Sequence, residues 1–358
     1  MEHIGIDLGS KQSHICVWTD SGIAEEKRIQ TSKLKLWLSE RPASRVVIET
    51  CAEAFTISEW IQDSGHEPWV VPAAVVRQLG VGYRGVKNDV RDARVLSKSS
   101  VALGDELPRV HIPSRKSRER QRLLTQRDGL VRARTQLVNG VRSQLRSELL
   151  SCRAGTTKAL PQRVRDLLTD GPQSLREILE PTLTAIEALT SSIENLEAQL
   201  KEQTKNEPQI RLLKTMPGVG LLTAVSFASA VDALQRFKSS AHLASYFGLT
   251  PGEHTTGGKQ RLTPITKAGK GQVRTLLIQA AWCLVRVAPQ SALAQWYDEA
   301  RHRRPKQVAI VGVARKMVRV LYAMMRDQKP FNPKLGHARR PRLEARQEEL
   351  RQVLGHTA

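Results

Sequence analysis

The chain is short of cysteine, of long apolar runs and of acids. Cys16, Cys51, Cys152 and Cys283 are its four cysteines, far apart and without a CxxC pair. That spacing fits neither a zinc site nor a disulfide framework, so they read as packing residues. No run of about eighteen apolar residues occurs, the length a membrane-spanning helix needs. MEHIGIDLGS carries no signal-peptide pattern, and the expectation is a cytoplasmic protein with no membrane partner. Internal repeats and low-complexity tracts are missing as well. Asp and Glu number 35 against 56 Lys and Arg, a formal net charge of +21 over 358 residues. Such an excess points to a polyanionic partner, nucleic acid first, and the length allows two or three domains.

In residues 1–112 short apolar runs alternate with helical stretches, as in an α/β layer architecture. HIGIDLGS reads as strand and turn, SHICVW as the returning strand of a hairpin, and SRVVIET as a buried strand. AFTISEWIQDSG reads as a helix closed by Gly65, EPWVVPA as a further strand, and NDVRDARVLSKSS as a helix capped by Asn88 or Asp89.

Residues 113–207 open on a long basic helix that runs to about Ser151, with Arg132, Arg134 and Arg142 among the arginines expected to meet nucleic acid. A second helical stretch covers roughly Pro172 to Asn206. There Leu179, Ile186, Leu189, Ile193, Leu196 and Leu200 recur at helical spacing, and Glu187, Glu194, Glu197 and Glu202 decorate the other faces. The pattern suits an antiparallel helical hairpin or a coiled-coil contact between copies, with Pro181 limiting it toward the N-terminus. Residues 208–326 read as mostly helical, interrupted by a Gly- and Thr-rich loop, GLTPGEHTTGGKQRLTPITKAGKG. Residues 327–358 form a charged tail in which RPRLEARQEELRQVLG reads as a loosely held helix.

Four carboxylates stand out in this basic chain. Asp7 ends an apolar strand and leaves it on the face opposite Ile4 and Ile6, near the edge where open α/β sheets place ligands. Glu49 also ends an apolar strand. Asp89 and Asp92 are three apart, so on a helix they share a face with Cβ atoms about 5 to 6 Å apart. Four acids gathered together repel unless cations neutralise them, and a pair of Mg²⁺ ions held there could activate an attacking oxygen and stabilise a leaving one. Taken singly, Asp89 and Asp92 equally suit a helix cap and a dipole-compensating acid, and Asp7 an Asx turn with Gly9. GIDLGSK is also similar to the first phosphate loop of actin-like ATPases and sugar kinases, but no DxGG-type second loop follows.

Two glycine-rich segments lie downstream. LKTMPGVGLLTAVSFA has the form of a helix-hairpin-helix with Pro217, Gly218, Val219 and Gly220 in the turn, where amides at the next helix's N-terminus can bind phosphate without reading a base. In GEHTTGGKQRLTPITKAGKGQVR, the hydroxyls of Thr255 and Thr256 precede two glycines and the cations Lys259, Arg261, Lys267, Lys270 and Arg274. A hydroxyl among cations could attack phosphate, with His254 as a base, or the segment could be a solvated phosphate-binding loop.

Taken in order, these motifs resemble the DEDD-type transposases of bacterial insertion sequences, the family that includes the pilin-gene invertase and the bridge-RNA-guided recombinases. The motifs are GIDLGSKQSH, VVIETCAEA, VGYRGVKNDVRDARVLS, MPGVGLLTA and YFGLTPGEHTTGGKQRLTPITKAG, and the likeness covers roughly residues 1–155 and 210–285. It implies an N-terminal RuvC-like, ribonuclease-H-type domain, a coiled-coil region and a mostly α C-terminal transposase domain. It also implies that Asp7, Glu49, Asp89 and Asp92 bind Mg²⁺ and that a loop hydroxyl becomes joined to DNA. Sites from different protomers of a homodimer or homotetramer would combine, a structured guide RNA would specify the DNA, and the protein would lie at the bacterial nucleoid. The family pattern has a serine where this chain has Thr256, whose added β-methyl restricts χ1. Thr256 acting as nucleophile, Thr255 taking its place, and a copy that only binds nucleic acid all stay open. The leading expectation is a DNA recombinase; the competitor is a Mg²⁺-dependent structure-selective nuclease in which water attacks.

Overall fold

Alternation of apolar side chains builds the first sheet. In the computed structural model, which describes residues 1–78, 89–256 and 259–334, β1 (His3–Asp7) pairs antiparallel with β2 (Gln12–Thr19), and β2 pairs antiparallel with β3 (Gly22–Gln30). On its other side β1 runs parallel to β4 (Arg45–Glu49), and β4 parallel to β5 (Glu67–Val71), giving the order β3-β2-β1-β4-β5. The connections contribute α1 (Leu34–Ser39), α2 (Ala54–Asp63), α3 (Ala73–Gln78) and α4 (Asp89–Leu103). One face of the sheet, with Ile4, Ile6, Ile15, Val17, Val46 and Ile48, packs on Leu34, Leu38, Ile57 and Ile61 of α1 and α2. The other face, with Val47, Trp69 and Val71, packs on Leu96 of α4. Together these elements form one of two compact units, Met1–Ser114.

The hairpin, the two parallel strands, α2 with Gly65 at φ +81° and the helix from Asp89 match the expected elements, whereas β3, α1 and α3 are additions. Asn88, the alternative cap, lies outside the described residues. Cys16 is buried and Cys152 and Cys283 are half-buried, as expected of packing residues, whereas Cys51 is exposed.

The second unit, Arg115–Ala358, begins with α5 (Arg115–Ser147), α6 (Leu160–Leu167) and α7 (Gln173–Thr204). Arg127 meets Glu197 and Arg134 meets Thr190, so α5 and α7 run antiparallel. Of the expected heptad row, Leu179, Ile186, Ile193 and Leu200 are buried within this chain, while Leu189 and Leu196 stay half-buried. α7 passes straight through Pro181 instead of being limited by it. Leu175, Leu179 and Leu183 anchor both sides of the proline in one cluster with Val138, Val141 and Val164, and Pro181 itself is exposed. Tertiary packing outweighs the lost backbone hydrogen bond.

Beyond lie α8 (Pro208–Leu213), α9 (Leu221–Val231), α10 (Ser240–Tyr246), α11 (Gly271–Val287), α12 (Ala292–Arg301) and α13 (Lys306–Asp327). They enclose a core of Val225, Phe227, Phe247, Leu277, Leu284, Leu293, Met317 and Leu321. The expected Gly- and Thr-rich loop is instead a two-stranded hairpin, β6 (Pro251–Thr256) and β7 (Lys259–Ile265). Its β-branched threonines favour strand, and Gly257-Gly258 between two such runs is a tight-turn signal. The expected terminal helix falls outside the described residues. Among those described, no single helix is long and apolar enough to cross a membrane.

Candidate active site

Strand register sets two acids of the first unit at one level. Ile6 pairs with Ile48, so the next residues, Asp7 and Glu49, end adjacent parallel strands at the same level. Alternation puts Asp7 on the face of His3 and Gly5, and Glu49 on the face of Val47, which is the α4 side of the sheet. The helix is held close there. His3 Nδ1 lies 2.8 Å from Ser100 Oγ, and a Cβ on Gly5 would stand 2.2 Å from Ala93 O and 2.5 Å from Ser97 N. α4 therefore runs opposite to β1, and two further residues of strand, about 6.6 Å, correspond to somewhat over one helical turn. Asp7 is accordingly level with the first turn of α4, which carries Asp89 and Asp92.

Their environments differ. Asp92 is buried, Asp7 and Glu49 are half-buried, and Asp89 is exposed. Sequence reasoning missed His14. It stands opposite Asp7 in the antiparallel register, and its Nδ1 lies 3.8 Å from Asp89 Oδ2. Among the described residues no three His, Cys, Asp or Glu side chains form a ready-made ion site. The donor set still suits Mg²⁺, a hard cation usually held by one or two carboxylates together with water and substrate phosphate. Asp7 and Glu49 at one strand edge, with the two α4 acids beside them, offer that kind of open site.

In the second unit Thr255 pairs with Gln260 and Thr256 with Lys259 at the end of the β6-β7 hairpin, and His254 pairs with Arg261. His254, Arg261 and Lys267 are exposed. Lys267 is a non-glycine residue at φ +56°, in a turn drawn tight where Gly248, at φ +65°, lies against Ala268. Two of the expected phosphate-binding cations are engaged inside the unit. Arg274 donates to the carbonyls of Phe247 and Ala268. Lys270 donates to Gln121 Oε1, and burial followed by the nearby Arg236 pushes its pKa down to about 8, against the opposing pull of Asp232.

The PGVG turn joins α8 to α9. Gly218 has φ +82°, and its close approach is to protein, since a Cβ there would meet Ala280 O at 2.3 Å. Gly220, the residue before α9, has open space where a Cβ would go. On α5, Arg134 is half-buried and donates to Thr190 Oγ1, Arg132 faces solvent beside Asp128, and Arg142 is exposed. Arg118 and Arg120 are buried, so the charge of this helix is divided between packing and solvent.

A DEDD-type IS110 transposase family model, described as "Transposase", matches residues 4–149, and one described as "Transposase IS116/IS110/IS902 family" matches residues 210–297. A "Probable family 20 transposase" of Pseudomonas aeruginosa is 26% identical over 340 residues, covering 93% of this chain and 99% of that protein. The transposase for insertion sequence element IS1328 of Yersinia enterocolitica is 27% identical, covering 90% of this chain and 96% of that one. A pilin gene-inverting protein of Moraxella bovis is 27% identical over 152 residues, 41% of this chain and 47% of its own. Two models of one family, matched in succession on the acid-bearing and hairpin-bearing segments, show that the chain belongs to the DEDD transposases of IS110/IS116-type insertion elements.

Proposed function

We propose that this transposase cuts and rejoins DNA through a covalent threonine-DNA intermediate. The observation that carries the reading is the convergence of Asp7 and Glu49 at one strand edge, beside the acids that open α4, in a chain of this family. Asp7, Glu49, Asp89 and Asp92 would hold Mg²⁺, which supplies Lewis-acid polarisation of a phosphodiester and charge neutralisation. The hydroxyl of Thr256 attacks phosphorus, an Oγ–P bond forms, the P–O bond to deoxyribose breaks, and the released oxygen takes up a proton. Because the new ester keeps the bond energy, rejoining needs no nucleotide cofactor. The strongly basic composition supports DNA and a structured guide RNA as partners. The domain reading is a RuvC-like acid-bearing unit over residues 1–112, a basic and coiled-coil region over 113–207, a transposase domain with a helix-hairpin-helix and nucleophile hairpin over 208–326, and a tail over 327–358. The working assembly is a homodimer or homotetramer.

Reactions stopped in denaturant test the chemistry. Wild-type protein leaves DNA attached to the chain, and Thr256→Ala abolishes the adduct; an undiminished adduct assigns the nucleophile elsewhere, Thr255 first. Asp7→Ala and Asp92→Ala abolish Mg²⁺-dependent cleavage while retaining salt-sensitive binding. Cleavage that yields only free ends from the wild type identifies hydrolysis by water and a nuclease.

A further inference from the structure

Between Ala300 and Arg326 the sequence carries Arg301, Arg303, Arg304, Lys306, Arg315, Lys316, Arg319 and Arg326 and not one acid. The stretch is the end of α12, a short turn and nearly all of α13. It lies beyond residue 297, where the second family model ends. One side of α13 is core, with Ile310, Val313, Met317 and Leu321 buried. The turn is the reverse: every residue from Arg301 to Val308 is exposed. Arg301 is engaged by Asp298 at 3.0 Å, whereas Arg303, Arg304 and Lys306 meet no carboxylate among the described residues. α13 has no acid in its first turn and no side-chain cap at Pro305, so the positive end of a 22-residue helix adds to the same field. Three neighbouring exposed cations without a carboxylate partner raise the local positive potential and attract a polyanion.

The chemistry of the patch selects its partner. Single strands are gripped by exposed aromatics that stack on bases. Of the large aromatics of α12, Tyr297 is buried and Trp296 lies under Lys316 and against Gly312, which leaves the exposed imidazole of His302 as the turn's one aromatic ring. What is offered is chiefly charge, which suits the evenly repeated phosphates of a duplex.

We infer that the α12–α13 turn, through Arg303, Arg304 and Lys306, is a docking surface for the phosphate backbone of duplex DNA that does not read sequence. The inference rests on the reading of this chain as a DNA-binding recombinase and adds a contact outside both family-model segments.

The test uses the full chain, random-sequence DNA duplexes with RNA duplexes of the same length beside them, and fluorescence anisotropy over about 50 to 200 mM salt. A triple variant, Arg303→Ala with Arg304→Ala and Lys306→Ala, leaves the core untouched and is checked by its melting temperature. A control removes the same charge from three other exposed lysines, Lys201→Ala with Lys214→Ala and Lys238→Ala. Each lost phosphate contact removes about 0.9 from the slope of log affinity against log salt, so the turn variant becomes shallower by roughly two to three. It should weaken equally on unrelated sequences, and the control should keep the wild-type slope. An unchanged slope in the turn variant, an equal loss in the control, or a loss confined to RNA duplexes overturns the inference. A wild type with no salt-dependent DNA binding overturns it together with the functional reading; wild-type binding with an unaffected turn variant overturns the inference alone.

Discussion

His14 Nδ1 lies 3.8 Å from Asp89 Oδ2, and it does so because β2 returns antiparallel beside β1 and sets His14 opposite Asp7. The imidazole thus stands beside β1 and the start of α4, two of the elements that carry the acids, close enough to orient Asp89 through one water. Partners of metal-binding carboxylates commonly contribute about 10- to 100-fold in metal affinity. His14→Ala is expected to raise the Mg²⁺ needed for half-maximal cleavage by about 10-fold, with maximal rate largely restored at high Mg²⁺. A magnesium titration of wild type and variant decides it. An unchanged midpoint would mean that His14 does not position Asp89.

Gly5 sets the spacing of the same site. Its missing side chain lets α4 approach the strand, and a Cβ would collide with backbone atoms of Ala93 and Ser97 at 2.2 and 2.5 Å. Backbone cannot rotate away as a flexible side chain can, so Gly5→Ala must push α4 outward. Overpacking of this kind costs about 1 to 3 kcal/mol, and the displaced helix carries Asp89 and Asp92. The expected outcome is a lower melting temperature together with loss of Mg²⁺-dependent cleavage. A variant with the wild-type melting temperature would show that α4 has room to spare.

The two glycines of the PGVG turn should part company. Gly218 is at φ +82° with its Cα against the carbonyl of Ala280, so Gly218→Ala incurs both backbone strain and a collision with α11. Gly220 faces open space, so Gly220→Ala should fold normally. If amides at the start of α9 meet phosphate, the added methyl at Gly220 weakens DNA binding without changing the melting temperature. Thermal unfolding and anisotropy on both variants separate packing from binding. Equal melting temperatures for the two would contradict the assigned role of Gly218.

What the sequence made legible was what a local period can encode. Ile4, Ile6, Val46 and Ile48 announce buried strands, and the acids that follow them fall at the sheet edge by counting alone. β3 stayed hidden because GIAEEKRIQ is an edge strand whose charges face outward and are spent on Arg41, Arg94 and one another, as edge strands often are. The β6-β7 hairpin was masked by its glycines and cations, although Gly-Gly between β-branched runs marks it. His14 could not have been found by spacing, since its place beside Asp89 depends on strand register and on where α4 docks. The same holds for Lys270 and Arg274: their charge suggests a surface, and only the fold shows them turned toward Gln121 and toward backbone carbonyls.

Lys270 yields a pH dependence with a definite sign. Its pKa falls from 10.5 to about 8, chiefly through burial. Below pH 8 the amine is charged in both folded and unfolded chains, and the folded state carries the whole penalty of enclosing it. Between about pH 8 and 10.5 the folded chain sheds the proton while the unfolded chain keeps it. The unfolded state then binds more protons, so stability gains from this group as pH rises through that window. Lys270→Met removes the titration. The advantage of the variant over wild type should therefore be largest near neutral pH and shrink toward pH 10.5, as read from urea midpoints at several pH values. Comparing the two proteins cancels the titration of other lysines and tyrosines. Parallel stability curves across the window would mean that Lys270 titrates as an ordinary solvated lysine. A phosphate docking beside Lys270 at the start of α11 would pull the proton back, so DNA binding near pH 8 should take up a proton in wild type and not in Lys270→Met.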